Sequence, residues 1–345
     1  MTVALLASIP SPSDGTLDIG PLSIHAYGLM IALGIVAAVW LAGRRLEQSG
    51  AGTRDDMSNI AIWAVVAGVI GARLYYIITD KSDPWREPAK WIRIWEGGLG
   101  IPGGLILGVL VGAWAAKRRG VSVPLLLTAA APAIPLAQAI GRLGNWWNQE
   151  LFGRPTTLPW GLEIDDAHLP AGYPSGTLFH PTFLYECLWN LGLCLVLLII
   201  DKRMKLRPGR LMAVYVLGYS VGRFWIEGLR IDPANSGGGW RLNQWMAVFF
   251  FVASAVYLIV DHLRHRNDPP VEPVAAVAAD EDEAIADVEA AEADAAGEAT
   301  DAAEAEAADA AATGDVDEAA DERAGDDAPA PEADDTVDYV PEDDH

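Results

Sequence analysis

Cysteine is scarce in this chain. Only Cys187 and Cys194 occur in 345 residues. They fall seven apart inside one apolar run and so share a helix face. That spacing frames neither a disulfide scaffold nor a metal site and suits small buried apolar residues. Positive charge is nearly missing from residues 267–345, which hold 29 Asp plus Glu against one basic residue, Arg323. Aromatics there are reduced to Tyr339. Such a segment buries too little apolar surface to offset its ordering entropy, so a disordered acidic tail is expected. The N-terminal MTVALLASIPSPSDG has no basic n-region, and no cleaved signal peptide is expected. No GK[ST] follows the glycine-rich GGLGIPGGLILG, which excludes a phosphate loop.

What remains is apolar. The net charge of -23 belongs to the tail, because residues 1–266 hold 23 Lys plus Arg against 18 Asp plus Glu, a balance of +5. Apolar stretches long enough to span a bilayer lie near 21–42, 57–79, 99–116, 122–140, 181–201, 210–229 and 243–262. The expectation is an all-α polytopic membrane protein of about seven spans. Residues 1–20 form a short external N-terminus, 21–266 the transmembrane body and 267–345 the tail. No nucleic-acid partner and no cofactor is expected. Span four is the weakest, with Pro132, Pro135 and Gln138 inside it.

Basic residues follow spans one, three, five and seven: Arg44, Arg45 and Arg54; Lys117, Arg118 and Arg119; Lys202, Arg203, Lys205 and Arg207; Arg264 and Arg266. The alternation places that side in the cytoplasm, with the N-terminus outside and the tail inside. The loop DKSDPWREPAKWIRIWEGG (80–98) is outside in this scheme yet carries Lys81, Arg86, Lys90 and Arg93. Its Trp85, Trp91 and Trp95 suit a short amphipathic helix in the interface.

Polar clusters sit at the outer ends of the spans. In GRLGNWWNQELFG (141–153), helical spacing puts Arg142, Asn145 and Gln149 on one face, with Glu150 flanking. An ionisable residue at membrane depth is costly and by default faces the interior for function. The alternative is an arginine snorkelling beside two tryptophans. In YSVGRFWIEGLR (219–230), Arg223, Glu227 and Arg230 share a face. Glu227 can pair with either arginine, leaving one guanidinium for an anion, or the three form a structural ladder. HPTFLYE (180–186) brings His180, Tyr185 and Glu186, the histidine most simply structural at a helix start. HAYGLM (25–30) places Tyr27 near the outer surface, and GARLYY places Arg73 inside span two. The six glycines of 97–108 allow close approach of backbone to backbone or to a lipid head group. Two arginines at the ends of different spans suggest a bidentate phosphate clamp, and a phosphate among apolar spans points to a phospholipid.

GRLGNWWNQELFG closely resembles the GRxGNFxNxExxG signature of bacterial prolipoprotein diacylglyceryl transferases. HAYGLM, GARLYY, the 83–105 block, HPTFLYE and GRFWIEGLR resemble that family's other blocks in the same order, over about residues 20–262. The resemblance implies a cofactor-free enzyme of the bacterial cytoplasmic membrane. It would take phosphatidylglycerol from the outer leaflet and move its diacylglyceryl group to the lipobox cysteine of a preprolipoprotein. It also implies that Arg142, Asn145, Glu150, Arg223 and Tyr27 serve the reaction. Arg142, Arg223, Asn145, Gly153, Glu227, Arg230 and His180 would hold phosphatidylglycerol. Many members read FHGG where this chain reads IPGG, and the histidine there has been proposed as general base. Pro102 cannot accept a proton. A phospholipid transporter or flippase is the rival reading. No internal repeat of the usual transporter kind is seen, and the polar residues lie at one face rather than at the midplane.

Overall fold

A computed structural model describes residues 8–19, 22–79, 91–93, 97–204, 206–232 and 236–268. The tail, and most of the loop 80–98 with its expected interfacial helix, lie outside the described residues. Among the described residues, eight helices follow from the apolar runs. They are α1 (Ala26–Gln48), α2 (Arg54–Thr79), α3 (Ile101–Arg118), α4 (Val123–Ala130), α5 (Ala133–Trp147), α6 (Thr182–Arg203), α7 (Arg210–Glu227) and α8 (Leu242–Arg264). Their outer faces carry exposed Ile78, Val36 and Phe249. Such surfaces suit lipid, where a helix satisfies its own backbone polar groups.

Five of the helices are long and apolar enough to cross a membrane: α1, α2, α3, α6 and α8. The pair α4–α5 adds a sixth if counted as one broken span, bent by 43°. The remaining expected span, the sixth at 210–229, is α7, which carries Arg210, Arg223 and Glu227 and does not read as a simple apolar span. Span one also starts later than its hydropathy suggests. Residues Leu22–His25 are strand β2, paired antiparallel with β1 (Thr16–Ile19), and the helix begins only at Ala26.

Local chemistry explains the helix ends. Thr53 caps α2 reciprocally with Asp56: the Thr53 hydroxyl accepts the Asp56 N–H, and the Asp56 carboxylate accepts the Thr53 N–H, each at 3.0 Å. Pro102 lies in the first turn of α3, where its missing N–H costs nothing. The break between α4 and α5 comes from Pro132, which has no N–H for the carbonyl of Thr128. That carbonyl and the next are taken instead by Arg45, whose Nη2 donates to Thr128 O and Nε to Ala129 O, both at 3.2 Å. Asp201 balances the charge at 2.9 Å.

Close helix contacts rest on glycine. A Cβ on Gly71 of α2 would run into the carbonyl of Gly103 in α3, and the reverse also holds. At Gly103, Gly104 and Gly108 the expected close approach is thus a contact with the α2 backbone. On the other side α1 lies antiparallel to α5, with a Gly34 Cβ 2.9 Å from Ala137 O. Residues 148–181 fold at the end of the bundle that holds the α5 C-terminus and the α6 N-terminus. There β3 (Leu162–Glu163) pairs antiparallel with β4 (Leu178–Phe179), and Ile9 bridges to Leu162. Phe152, Leu162, Ile164, Phe179 and Phe183 form the core of this cap.

Candidate active site

At that end of the bundle, three helices bring charged side chains to one carboxylate. Arg142 from α5 meets Glu186 Oε2 through Nη2 at 2.6 Å. Arg223 from α7 meets Glu186 Oε1 through Nη1 at 3.4 Å. Glu186, in the second turn of α6, is nearly buried, while the Arg142 side chain keeps 23% of its surface exposed. Glu186 is shared by the two guanidinium groups, and Arg223 is paired more closely with Glu227, at 2.8 Å. With Arg230, Arg241 and Asp232 the cluster holds four arginines against three carboxylates, and Arg142 lies at its more open edge. The sequence picked out Arg142 and Arg223 and quoted Glu186 but gave it no site role.

Arg142 is steadied on its own helix. Its Nη1 donates to Asn145 Oδ1 at 3.2 Å, and Asn145 Nδ2 donates to Glu150 Oε1 at 2.8 Å. Asn148 Nδ2 donates to the same carboxylate oxygen at 3.3 Å. Arg142 and Asn145 come together as the spacing suggested, and Glu150 joins them from the turn beyond the helix end. Gln149 does not join them. The helix ends at Trp147, and Gln149 has a left-handed backbone, φ 49°. Its amide turns into the cap, where Nε2 donates to Pro12 O at 3.0 Å and to Asp165 Oδ2 at 2.6 Å. The shared face expected for Gln149 fails because helical spacing holds only as far as the helix runs. Tyr27 lies against the same stretch, since a Cβ on Gly144 would sit 2.6 Å from its ring.

The second arginine block is more heavily paired than a three-residue ladder. Glu227 is fully buried. Its Oε2 faces Arg223 Nη2 at 2.8 Å and Arg230 Nη1 at 3.5 Å. Its Oε1 accepts from Arg241 Nε at 2.7 Å and Asn243 Nδ2 at 3.1 Å. Arg230 is also held by Asp232 through Nε at 2.7 Å and Nη2 at 3.0 Å. Desolvation opposes a charged Asp232, yet its hydrogen bonds and charge contacts with Arg230 and Arg241 hold its carboxyl below the usual range. Arg223, not Arg230, is the member turned toward Arg142. Arg241 and Asp232 escaped the sequence reading. One signal was present: Arg241 heads an apolar helix, where the dipole disfavours a cation unless a carboxylate answers it.

Gly153 ties the cap to the segment that leads into α6 and to the one that leaves α7. Its N–H donates to His180 O at 2.9 Å, and it bridges antiparallel to Arg230. A Cβ there would lie 2.8 Å from His180 Cβ and 3.2 Å from both Leu229 O and Thr182 Cγ2. Gly153→Ala is expected to destabilise the fold by about 1–3 kcal/mol through overpacking, seen as a lower thermal midpoint. An unchanged midpoint would mean that these three segments part without cost. His180 Nδ1 lies 3.1 Å from Tyr185 Oη, which accepts a hydrogen bond from Trp160 Nε1 at 3.1 Å. Burial, reinforced by the charge of Arg154, lowers the His180 pKa. A neutral imidazole can accept the tyrosine proton at Nδ1. Arg73 is set apart. Its guanidinium donates to the carbonyls of Trp91, Arg93, Gly97 and Gly98, which fastens the chain ahead of α3.

This arrangement accompanies a clear kinship. Residues 15–260 match the family model described as prolipoprotein diacylglyceryl transferase. The chain is 48% identical over 274 residues to phosphatidylglycerol--prolipoprotein diacylglyceryl transferase 2 of Streptomyces coelicolor, covering 78% of this chain and 85% of that one. It is 49% identical over 261 residues to the enzyme so named in Cutibacterium acnes, covering 75% and 88%. With the one so named in Mycobacteroides abscessus it shares 47% over 287 residues, covering 78% and 82%. The chain belongs to the prolipoprotein diacylglyceryl transferase family.

Proposed function

We propose that this protein transfers the diacylglyceryl group of phosphatidylglycerol to the lipobox cysteine of preprolipoproteins, the first step of bacterial lipoprotein maturation. The observation that carries the reading is the convergence of Arg142 and Arg223 on Glu186 at one end of the bundle. Their forks suit the two non-bridging oxygens of a phosphodiester. The cysteine sulfur attacks the carbon of the diacylglycerol unit that bears the phosphate. A C–S bond forms, the C–O bond breaks, and glycerol-1-phosphate leaves with the electron pair. Charge that grows on the departing phosphate is stabilised by the same arginines. Asn145 and Glu150 hold Arg142 in place. Tyr27, Gly153 and His180 shape the wall, and Glu227 with Arg230 backs Arg223.

In this reading α7 is a seventh span whose charges face the protein interior. The N-terminus and the active site lie toward the outer leaflet of the bacterial cytoplasmic membrane, and the tail is cytoplasmic, as the basic loops suggest. Labelling of Thr300→Cys should then require permeabilised cells, and labelling in intact cells would reverse the topology. The reaction itself is tested by mass spectrometry of a lipobox peptide incubated with the purified protein and phosphatidylglycerol vesicles. A diacylglyceryl mass gain is expected. Folded protein that yields no gain would favour the transporter reading.

The thiol proton needs an outlet, since Pro102 offers none. The paired arginines depress the thiol pKa from its free value of about 8.5, and water then takes the proton. His180 is a weaker base than a free histidine, because burial favours its neutral form. The rate should rise with pH along one thiol-like titration, with the same profile in His180→Ala. A rise through an imidazole-like pKa that flattens on replacement would make His180 the base.

A further inference from the structure

Arg241 stands outside every motif quoted above, yet it is central to the α7–α8 corner. As the N-cap of α8 it meets the positive end of that helix dipole. Three acceptors answer it. Nε donates to Glu227 Oε1 at 2.7 Å, Nη2 to Asp232 Oδ2 at 2.8 Å and Nη1 to the Arg230 carbonyl at 3.1 Å. Every guanidinium nitrogen already has a partner within the corner. Arg241 is therefore not another phosphate ligand.

Its effect passes through Glu227. Arg241 and Asn243 occupy Oε1 from the start of α8, and this leaves Oε2 facing Arg223 at 2.8 Å. We propose that Arg241 is a positioning residue: by filling one side of Glu227 it limits Glu227 to a single-oxygen contact with Arg223, leaving the other arm of Arg223 for Glu186 and the phosphate. A fully buried carboxylate left on Oε1 with only the neutral Asn243 amide would recruit the nearest charged donor. Arg223 is adjacent and would close onto Glu227 with both arms, the strongest geometry open to the pair. That closure withdraws it from Glu186, where its contact is the longer one at 3.4 Å. A displacement of about 1 Å at a reacting group can cost on the order of 100-fold in rate.

The inference rests on the proposed phosphate role of Arg223, and a double-mutant cycle tests it with phosphatidylglycerol vesicles and a lipobox peptide. Arg241→Met alone should lose roughly 30- to 100-fold in kcat/KM for the lipid. In an Arg223→Lys background the same change should lose less than about 3-fold, because the residue through which it acts is already compromised. Arg45→Met serves as control: it removes a comparable clasp at the opposite end, lowers the thermal midpoint and leaves the KM for phosphatidylglycerol unmoved. If Arg223→Lys proves too slow to assay, the KM of Arg241→Met against that of Arg45→Met decides. A raised KM in the former alone supports the inference, and equal KM values overturn it. Equal losses from Arg241→Met in both backgrounds, with active wild-type protein, overturn this inference alone. Absence of turnover in the wild-type chain overturns the functional reading along with it.

Discussion

Arg142→Lys should lower kcat/KM for phosphatidylglycerol by about 100- to 1000-fold, equivalent to about 3–4 kcal/mol of lost transition-state stabilisation. The charge survives this change, so a purely electrostatic role would leave most of the rate. What is lost is the fork. Arg142 uses Nη2 for Glu186 at 2.6 Å and Nη1 for Asn145 at 3.2 Å, and a planar group anchored on both arms presents its remaining N–H groups in a fixed direction. An ammonium gathers its three donors at one point on a flexible stem and cannot hold Glu186 and Asn145 in the fixed planar geometry of the fork. Steady-state kinetics of the purified variant decides the matter. Activity within a few-fold of wild type would mean that Arg142 only snorkels beside Trp146 and Trp147, and the clamp would lose its main member.

The pairings that helical spacing alone found are those set within one element. Arg142 and Asn145 sit one turn apart on α5, and Arg223 and Glu227 one turn apart on α7. Periodicity sees such pairs because the helix itself sets their distance. It misplaced Gln149 because the left-handed backbone there ends the helix, and nothing in WNQEL announces a non-glycine residue at positive φ. It gave Glu186 no role because the bridging contacts join α5, α6 and α7, which are distant in sequence. The same limit hid Arg241, whose partners lie in α7 and the turn after it. Pro102 is a different case. Its place in the first turn of α3 was legible as helix chemistry, whereas the proton path that replaces the usual histidine is not a matter of local sequence.

Glu186→Gln should separate binding from turnover. The carboxylate is the shared counter-ion of Arg142 and Arg223, so an incoming phosphodiester competes with it for the same N–H groups. Without that competition ground-state binding of the anion should hold or tighten, and the KM for phosphatidylglycerol should stay level or fall. Turnover should drop by about 100-fold. The amide carbonyl can accept from one arginine, but its NH2 then faces the other, and two donors cannot satisfy each other. The unsatisfied arginine swings away, and the two forks no longer meet the phosphate in one geometry. Loss of alignment outweighs the gain in anion affinity if, as proposed, both arginines are placed as the C–O bond breaks. Only one can be satisfied by the ground state alone. A fall in kcat without a rise in KM is the signature of a group that acts in the transition state. If KM instead rises with kcat unchanged, Glu186 contributes to lipid binding alone, and Arg142 and Arg223 are aligned by Asn145 and Glu227 without it.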